Sequence, residues 1–212
     1  MVRKPAARKV AAKKVTAPAA VVTITPAELK SFGHGDALHP GFSFTRYWWS
    51  GPGPREGIEG YVHKKARPGD DPEFGLAAKG EVLLSSAAPG VYANLNFLLE
   101  NFDKSLPQYV RNVMVQVKIV LPQGEAWHVG YERVRGYARA HFARRFPVIL
   151  IAHIPAVASL DGYGNHVHCI VLSRPLDTNG FGGACPRLCS DIGYEDALDA
   201  WQAWLAVEEV AA

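Results

Sequence analysis

The chain has only three cysteines, Cys169, Cys185 and Cys189, and no apolar stretch resembling a signal-peptide core. An odd number of thiols without a secretory signal argues against a disulfide framework and for a reducing compartment, the cytoplasm. Cys185 and Cys189 lack a second pair nearby and read as loop thiols rather than a zinc site. No apolar run approaches the ~18–20 residues needed to cross a bilayer, which excludes a membrane-spanning protein. Acid is missing altogether from residues 1–20, where Arg3, Lys4, Arg8, Lys9, Lys13 and Lys14 stand among alanines and prolines. So little apolar content cannot offset chain entropy. Residues 1–22 are therefore expected to form a disordered basic tail, with the folded domain over 23–212. No internal repeat is present at any useful period.

What remains is enough for one core: 48% of the 212 residues are hydrophobic and 10% aromatic. The formal charge of +3 belongs to the tail, because residues 21–212 hold 17 basic and 20 acidic side chains, a net −3. Val21–Ile24 reads as a short strand, and Thr25-Pro26 followed by Glu28 reads as the cap of a brief helix ending at Lys30. Residues 32–55, rich in Gly, Pro and aromatics, and the loop Arg67–Glu73 are expected to add no long element. Leu95, Leu98, Leu99 and Phe102 recur at helical spacing. Val113, Val115, Val117 and Ile119 then alternate with other residues as in a half-buried strand that stops at Leu121-Pro122. Residues 128–146 return to helix with arginines largely outward, and Phe146–Ile154 is an apolar strand. Gly162–Asn165 is a turn, His166–Ser173 a second strand, Gly180–Gly183 a loop, and Tyr194–Val210 a terminal helix.

The histidines on the two late strands carry the chemistry. His166 and His168 are separated by one residue, so on a strand both imidazoles project from one face. If that strand forms a hairpin with the preceding one, His153 comes alongside. Three neutral imidazoles with open positions suit a divalent ion, and imidazole alone leaves Mn²⁺, Mg²⁺ and Zn²⁺ all open. His34, His39, His63, His128 and His141 are assigned to loops or a helix surface and given no role.

The segment Gly164–Gly182 (GNHVHCIVLSRPLDTNGFG) resembles the MobA/MobL-type plasmid mobilisation relaxases, a group of the HUH endonucleases. Thr45–Ala66, Gly80–Lys104, Val115–Pro122 and the tryptophan-containing Ala197–Val210 resemble further family segments in the same order. The likeness spans about residues 40–210, and only the His-x-His segment is specific by itself. It implies an α+β fold, a mostly antiparallel sheet with helices packed against it, and a metal held by His153, His166 and His168 at its centre. It also implies site- and strand-specific nicking of single-stranded DNA at a plasmid transfer origin, through tyrosine attack that leaves a 5′-phosphotyrosine. No helicase or primase segment is expected after the terminal helix, so accessory mobilisation proteins would melt the DNA.

The chain departs from the family pattern in places. Counting back from Ser50-Gly51, Trp48 falls at the nucleophile's place, and a one-residue bulge would restore Tyr47. Tyr47 is the candidate nucleophile and Tyr61 the reserve. Positions that commonly carry acid in the family hold Gln116 and Lys118 here, and Lys118 suits a phosphate. Arg46, Lys64, Lys65 and Arg174 are the other candidate DNA contacts. Two alternatives stay open. One is a DNA-binding protein that keeps the scaffold without cleavage, using Trp48 and Trp49 to stack on bases. The other is an HUH replication initiator or transposase, whose tyrosine usually follows the His-x-His strand, where this chain has only Tyr194. Deleting residues 1–20 is expected to weaken DNA affinity and to flatten the slope of log K against log salt by up to about 4. Fluorescence anisotropy across a salt series measures both, and an unchanged slope would show the tail to be idle.

Overall fold

The computed structural model describes residues 29–34, 39–50, 57–66, 77–154 and 164–211. The basic tail, Val21–Ile24 and the loop Arg67–Glu73 lie outside the described residues. Six strands form one sheet: β1 (Leu29–His34), β2 (Phe42–Trp49), β3 (Ala77–Leu83), β4 (Asn112–Val120), β5 (Val148–His153) and β6 (His166–Leu172). Their spatial order is β1-β2-β4-β6-β5-β3, and every neighbouring pair is antiparallel. The helices are α1 (Glu59–Ala66), α2 (Leu95–Ser105), α3 (Trp127–His141) and α4 (Asp191–Ala211). A small hairpin, β7 (Leu176–Asp177) and β8 (Gly180–Phe181), stands apart from the sheet. The domain is thus α+β, as expected. Among the described residues no helix is long and apolar enough to cross a membrane.

Period-2 patterning divides the side chains between two cores, one on each face of the sheet. Val115, Val117, Val167, Cys169 and Leu150 meet Tyr131, Val134 and Tyr137 of α3 and Ala197 and Leu198 of α4. On the other face Met114, Ile149, Ile151, Ile170 and Leu172 meet Ile58 and Val62 of α1 and Leu98, Leu99 and Phe102 of α2. β5 and β6 sit inside the sheet with helices over both faces, which is why they read as apolar runs. Arg133 of α3 ties Glu125 to Glu208 of α4, so part of the expected outward arginine face is a brace between helices.

Three local expectations need correction. Leu29 and Lys30, expected to end a helix, are strand residues opposite Trp49 and Trp48; sheet pairing outweighs the propensity of a helix too short to be stable alone. Residues 32–55 contain the eight-residue β2, whose buried Phe42 and Phe44 alternate with Ser43 and Thr45. Flanking Gly and Pro disguised that alternation. The expected loop at Gly180–Gly183 begins with β8, turned by Gly180 at φ 93°.

The seating of α1 is specific. Asp103 of α2 accepts the Ile58 N–H at 3.0 and 3.2 Å from its two oxygens, satisfying an amide at the start of α1. Burial pushes the Asp103 carboxyl up to about 7, against the pull of the Ile58 amide. Gly57 lies at φ +78°, and a Cβ there would come within 1.8 Å of Asp103 Oδ2. Gly57→Ala therefore combines backbone strain with displacement of the cap. It is expected to lower stability by about 2 kcal/mol in urea unfolding and to loosen α1; stability within about 0.5 kcal/mol of wild type would contradict this account.

A candidate metal centre beside a tyrosine pair

β5 and β6 pair with His153 opposite His166 and Ile151 opposite His168. All three histidines lie on the sheet face that carries α1 and α2, because Val167 and Ala152 take the opposite face. Their ring centroids are 4.6–5.1 Å apart. One nitrogen from each can be chosen so that all lie within 4.8 Å of one another, the one such cluster among the described residues.

The surroundings fix which nitrogens hold lone pairs. In the neutral rings, His153 donates Nε2–H to the Lys65 carbonyl at 2.8 Å, and His166 donates Nδ1–H to the Gly164 carbonyl at 2.9 Å. Lone pairs are left on His153 Nδ1 and His166 Nε2. Carbonyl partners of this kind orient metal-ligating histidines. His168 is buried, and its Nδ1 has no hydrogen-bond partner in the described structure. Burial is the first cause holding all three imidazoles neutral: it lowers His153, brings His166 down to about 4 and takes His168 well below its ordinary value. Three neutral rings, two of them oriented by carbonyls and one with an orphaned buried nitrogen, fit a divalent cation better than a packed core.

Lys118 of β4 stands directly across from His168, and Lys65 comes from the last turn of α1. Burial lowers the Lys65 ammonium, and Lys118 adds to the effect. The two lysines add to the lowering of His166 and His168, so both cations lie near the imidazoles. A phosphate bound here would relieve that repulsion. Lys64, one residue away, is exposed on α1.

Tyr47 also lies on the histidine face, with Tyr61 of α1 above it. The Tyr61 hydroxyl is 2.7 Å from the Tyr47 oxygen, to which it donates, and 3.0 Å from Gln116 Oε1. Gln116 is buried and lies two residues along β4 from Lys118, a rise of about 7 Å. The pairing of β2 with β4 is irregular between Tyr47 and Trp48. The extra residue belongs to β4: Tyr47 faces Met114 and Trp48 faces Asn112, which leaves Val113 between them. The extra residue is on β4, so it does not move Tyr47 along β2 into the place of Trp48.

Other candidates are placed elsewhere. Arg46 points to the α3/α4 side, 3.1 Å from Asp191 at the start of α4, with its guanidinium 4.9 Å over the Phe32 ring. Arg174 lies beyond the far end of β6 from His166. Its guanidinium donates to the carbonyls of Gly182, Ser105 and Phe181 and to the Ser105 hydroxyl. With every nitrogen engaged it braces that corner and does not serve a phosphate at the histidines. Trp49 is buried in the core and is not available to stack on a base. His34 ends β1 rather than lying in a loop, and Tyr194 stacks on it at 4.4 Å, on the face away from the histidines. Gln116, Lys118 and Tyr61, which the resemblance had already marked, lie on the same face; that Tyr61 bonds to both Tyr47 and Gln116 is shown only by the tertiary structure.

The chain matches no protein-family model and no curated protein. It is similar in fold to a solved structure described as "Molecular Basis of Vancomycin Resistance Transfer in Staphylococcus aureus", with a TM-score of 0.50 and 16% identity over 60% of this chain and 67% of that one. At that identity the likeness shows the fold alone: an α+β domain built on an antiparallel sheet with helices packed against it.

The buried histidines make stability depend on acid in a definite direction. His166 protonates at about 4 when folded, against an ordinary 6.5, so its contribution is complete above 6.5 and lost as pH falls through 4. Metal-free protein is expected to lose stability across that window, and His166→Gln is expected to flatten the loss. Urea midpoints measured from pH 7 to 4 check this, and parallel wild-type and variant curves would refute it.

Proposed function

We propose that the protein cuts and rejoins single-stranded DNA at a plasmid transfer origin, with Tyr47 as nucleophile and a divalent cation held by His153, His166 and His168. The observation that carries the reading is that three neutral imidazoles, two of them oriented by carbonyls, share one sheet face with two lysines and a half-buried tyrosine pair. A cation at such a centre polarises the non-bridging phosphate oxygens and offsets charge that builds up in the transition state.

The chain's own residues do the rest. Lys65 and Lys118 hold the scissile phosphate against the histidines, and Lys64, exposed one position away, meets the flanking backbone. The carbonyls of Lys65 and Gly164 hold the ring protons of His153 and His166, which leaves His153 Nδ1 and His166 Nε2 with lone pairs for a cation. Burial pushes the Tyr47 phenol up, so its ionised form needs a local donor, and Tyr61 supplies one. The Tyr47 oxygen attacks phosphorus, the bond to the 3′ oxygen breaks, and that oxygen takes up a proton to match the one Tyr47 has lost. The 5′-phosphotyrosine keeps the ester energy, so the 3′ hydroxyl can reverse the reaction and rejoin the strand. Melted DNA would come from accessory mobilisation proteins in the cytoplasm.

A second reading, binding without cleavage, is favoured by one observation: the β4 residues across from His168 and His166 are Lys118 and Val120, with Gln116 next along the same face, and none of them can accept a proton as a carboxylate does. Incubation with Mn²⁺ and labelled single-stranded transfer-origin oligonucleotides separates the two. Wild type is expected to give a covalent adduct stable to detergent, and Tyr47→Phe and His166→Ala to lose it by at least about a hundredfold. Adduct that persists in Tyr47→Phe removes Tyr47 as nucleophile, and binding with no adduct in wild type favours the second reading.

A further inference from the structure

The Tyr61 hydroxyl has one proton and two acceptors. It lies 2.7 Å from the Tyr47 oxygen and 3.0 Å from Gln116 Oε1, in a largely buried setting where the two rings are 5.0 Å apart. A core that needed only packing would place phenylalanine on α1, with no polar atoms to satisfy. We infer that Tyr61 is a positioning residue for Tyr47, moving its one hydrogen bond between the Tyr47 oxygen and Gln116 as the covalent bond to DNA forms and breaks. This rests on the reading of Tyr47 as the nucleophile.

The two acceptors change strength in opposite senses during the reaction. While the Tyr47 oxygen is a phenolate it is the stronger acceptor, and Tyr61 donates to it. When that oxygen bonds to phosphorus and the bond to the 3′ oxygen breaks, it becomes a bridging ester oxygen and a poor acceptor. Tyr61 then turns to the Gln116 carbonyl, which keeps a buried donor satisfied. On rejoining, the 3′ oxygen attacks phosphorus and Tyr61 turns back to the departing phenolate. Tyr61 keeps its own proton throughout. The proton lost by Tyr47 goes to solvent, and the 3′ oxygen takes one from solvent. Gln116 thus has a use that a carboxylate would not serve as well, because a negative charge there would oppose ionisation of Tyr47.

The groups around Tyr47 support this division of roles. α1 contributes Tyr61 and, one turn on, Lys65; β4 contributes neutral Gln116 and then Lys118; β1 places uncharged Ser31 opposite Tyr47; and the three histidines lie farther along the same face. Burial raises Tyr47, and the bond from Tyr61 opposes it. Burial first, and the neighbouring Tyr47 after it, raise Tyr61 without an opposing bond, which favours Tyr47 as the phenol that ionises.

The test uses full-length protein and an oligonucleotide on which wild type forms adduct. Tyr61→Phe is expected to slow single-turnover adduct formation and rejoining by about tenfold at neutral pH, the size of one hydrogen bond to a charged oxygen. The deficit should shrink as pH rises, with DNA affinity by anisotropy unchanged. A deficit equal at every pH, or none, overturns the inference. Gln116→Met gives an independent arm: it leaves Tyr61 without an acceptor in the adduct, so the equilibrium fraction of adduct is expected to fall about tenfold, and an unchanged fraction counts against the exchange. If wild type forms no adduct, the nucleophile reading fails, and the pair is read without DNA from ¹⁹F NMR of 3-fluorotyrosine at position 47. Tyr61→Phe should then raise its ionisation by about one pH unit, and an unmoved titration overturns the pairing itself.

Discussion

Everything at the site depends on the register of β5 against β6. With His153 opposite His166 and Ile151 opposite His168, three imidazoles fall on one face. A slip of one residue would turn one strand's set to the far side of the sheet. The register is held by burial on both sides, because each strand alternates between two closed cores, and a slipped strand would send its histidines in among Val134 and Tyr137. Unpaired imidazoles in that layer would cost more than the hydrogen bonds of a shifted ladder return. The same apolar side chains that make the sheet therefore hold the cluster together.

The second constraint is the seating of α1 across that face. This one short helix delivers the Lys65 carbonyl to His153, the Lys65 ammonium to the histidine pocket and the Tyr61 hydroxyl to Tyr47 and Gln116. At eight residues it is too short to be stable alone. Ile58 and Val62 bury its underside, and Asp103 satisfies the Ile58 amide from α2. A glycine at 57 gives the carboxylate room. Packing on α2, some 40 residues later in the chain, thus governs the electrostatics of the histidine face.

Charge is distributed in keeping with this. Arg46 and Arg174 are held in ion pairs and carbonyl cages away from the histidines, whereas Lys65 and Lys118 lie near them. The net −3 of residues 21–212 is no obstacle to an anionic ligand, because local cations decide the field inside a half-buried pocket. The two tyrosines show a similar local asymmetry. Their rings are close, and the Tyr61 hydroxyl has a second acceptor, Gln116 Oε1, within reach.

Periodicity in the sequence determined β4, β5, β6, α2, α3 and α4 and the shared face of His166 and His168, since period 2 and period 3.6 are properties of the backbone alone. It did not show β2, whose alternation is masked by Gly and Pro, or α1, whose pattern is weak because only Val62 of its eight residues is buried. The placement of Gln116, Lys118 and Tyr61 was decided by the tertiary structure, and so was the diversion of Arg46, Arg174 and Trp49 to structural roles. Those depend on which strand neighbours which and on where a helix docks, contacts between residues 14 (Tyr47 and Tyr61) to 145 (Arg46 and Asp191) positions apart that no local pattern encodes.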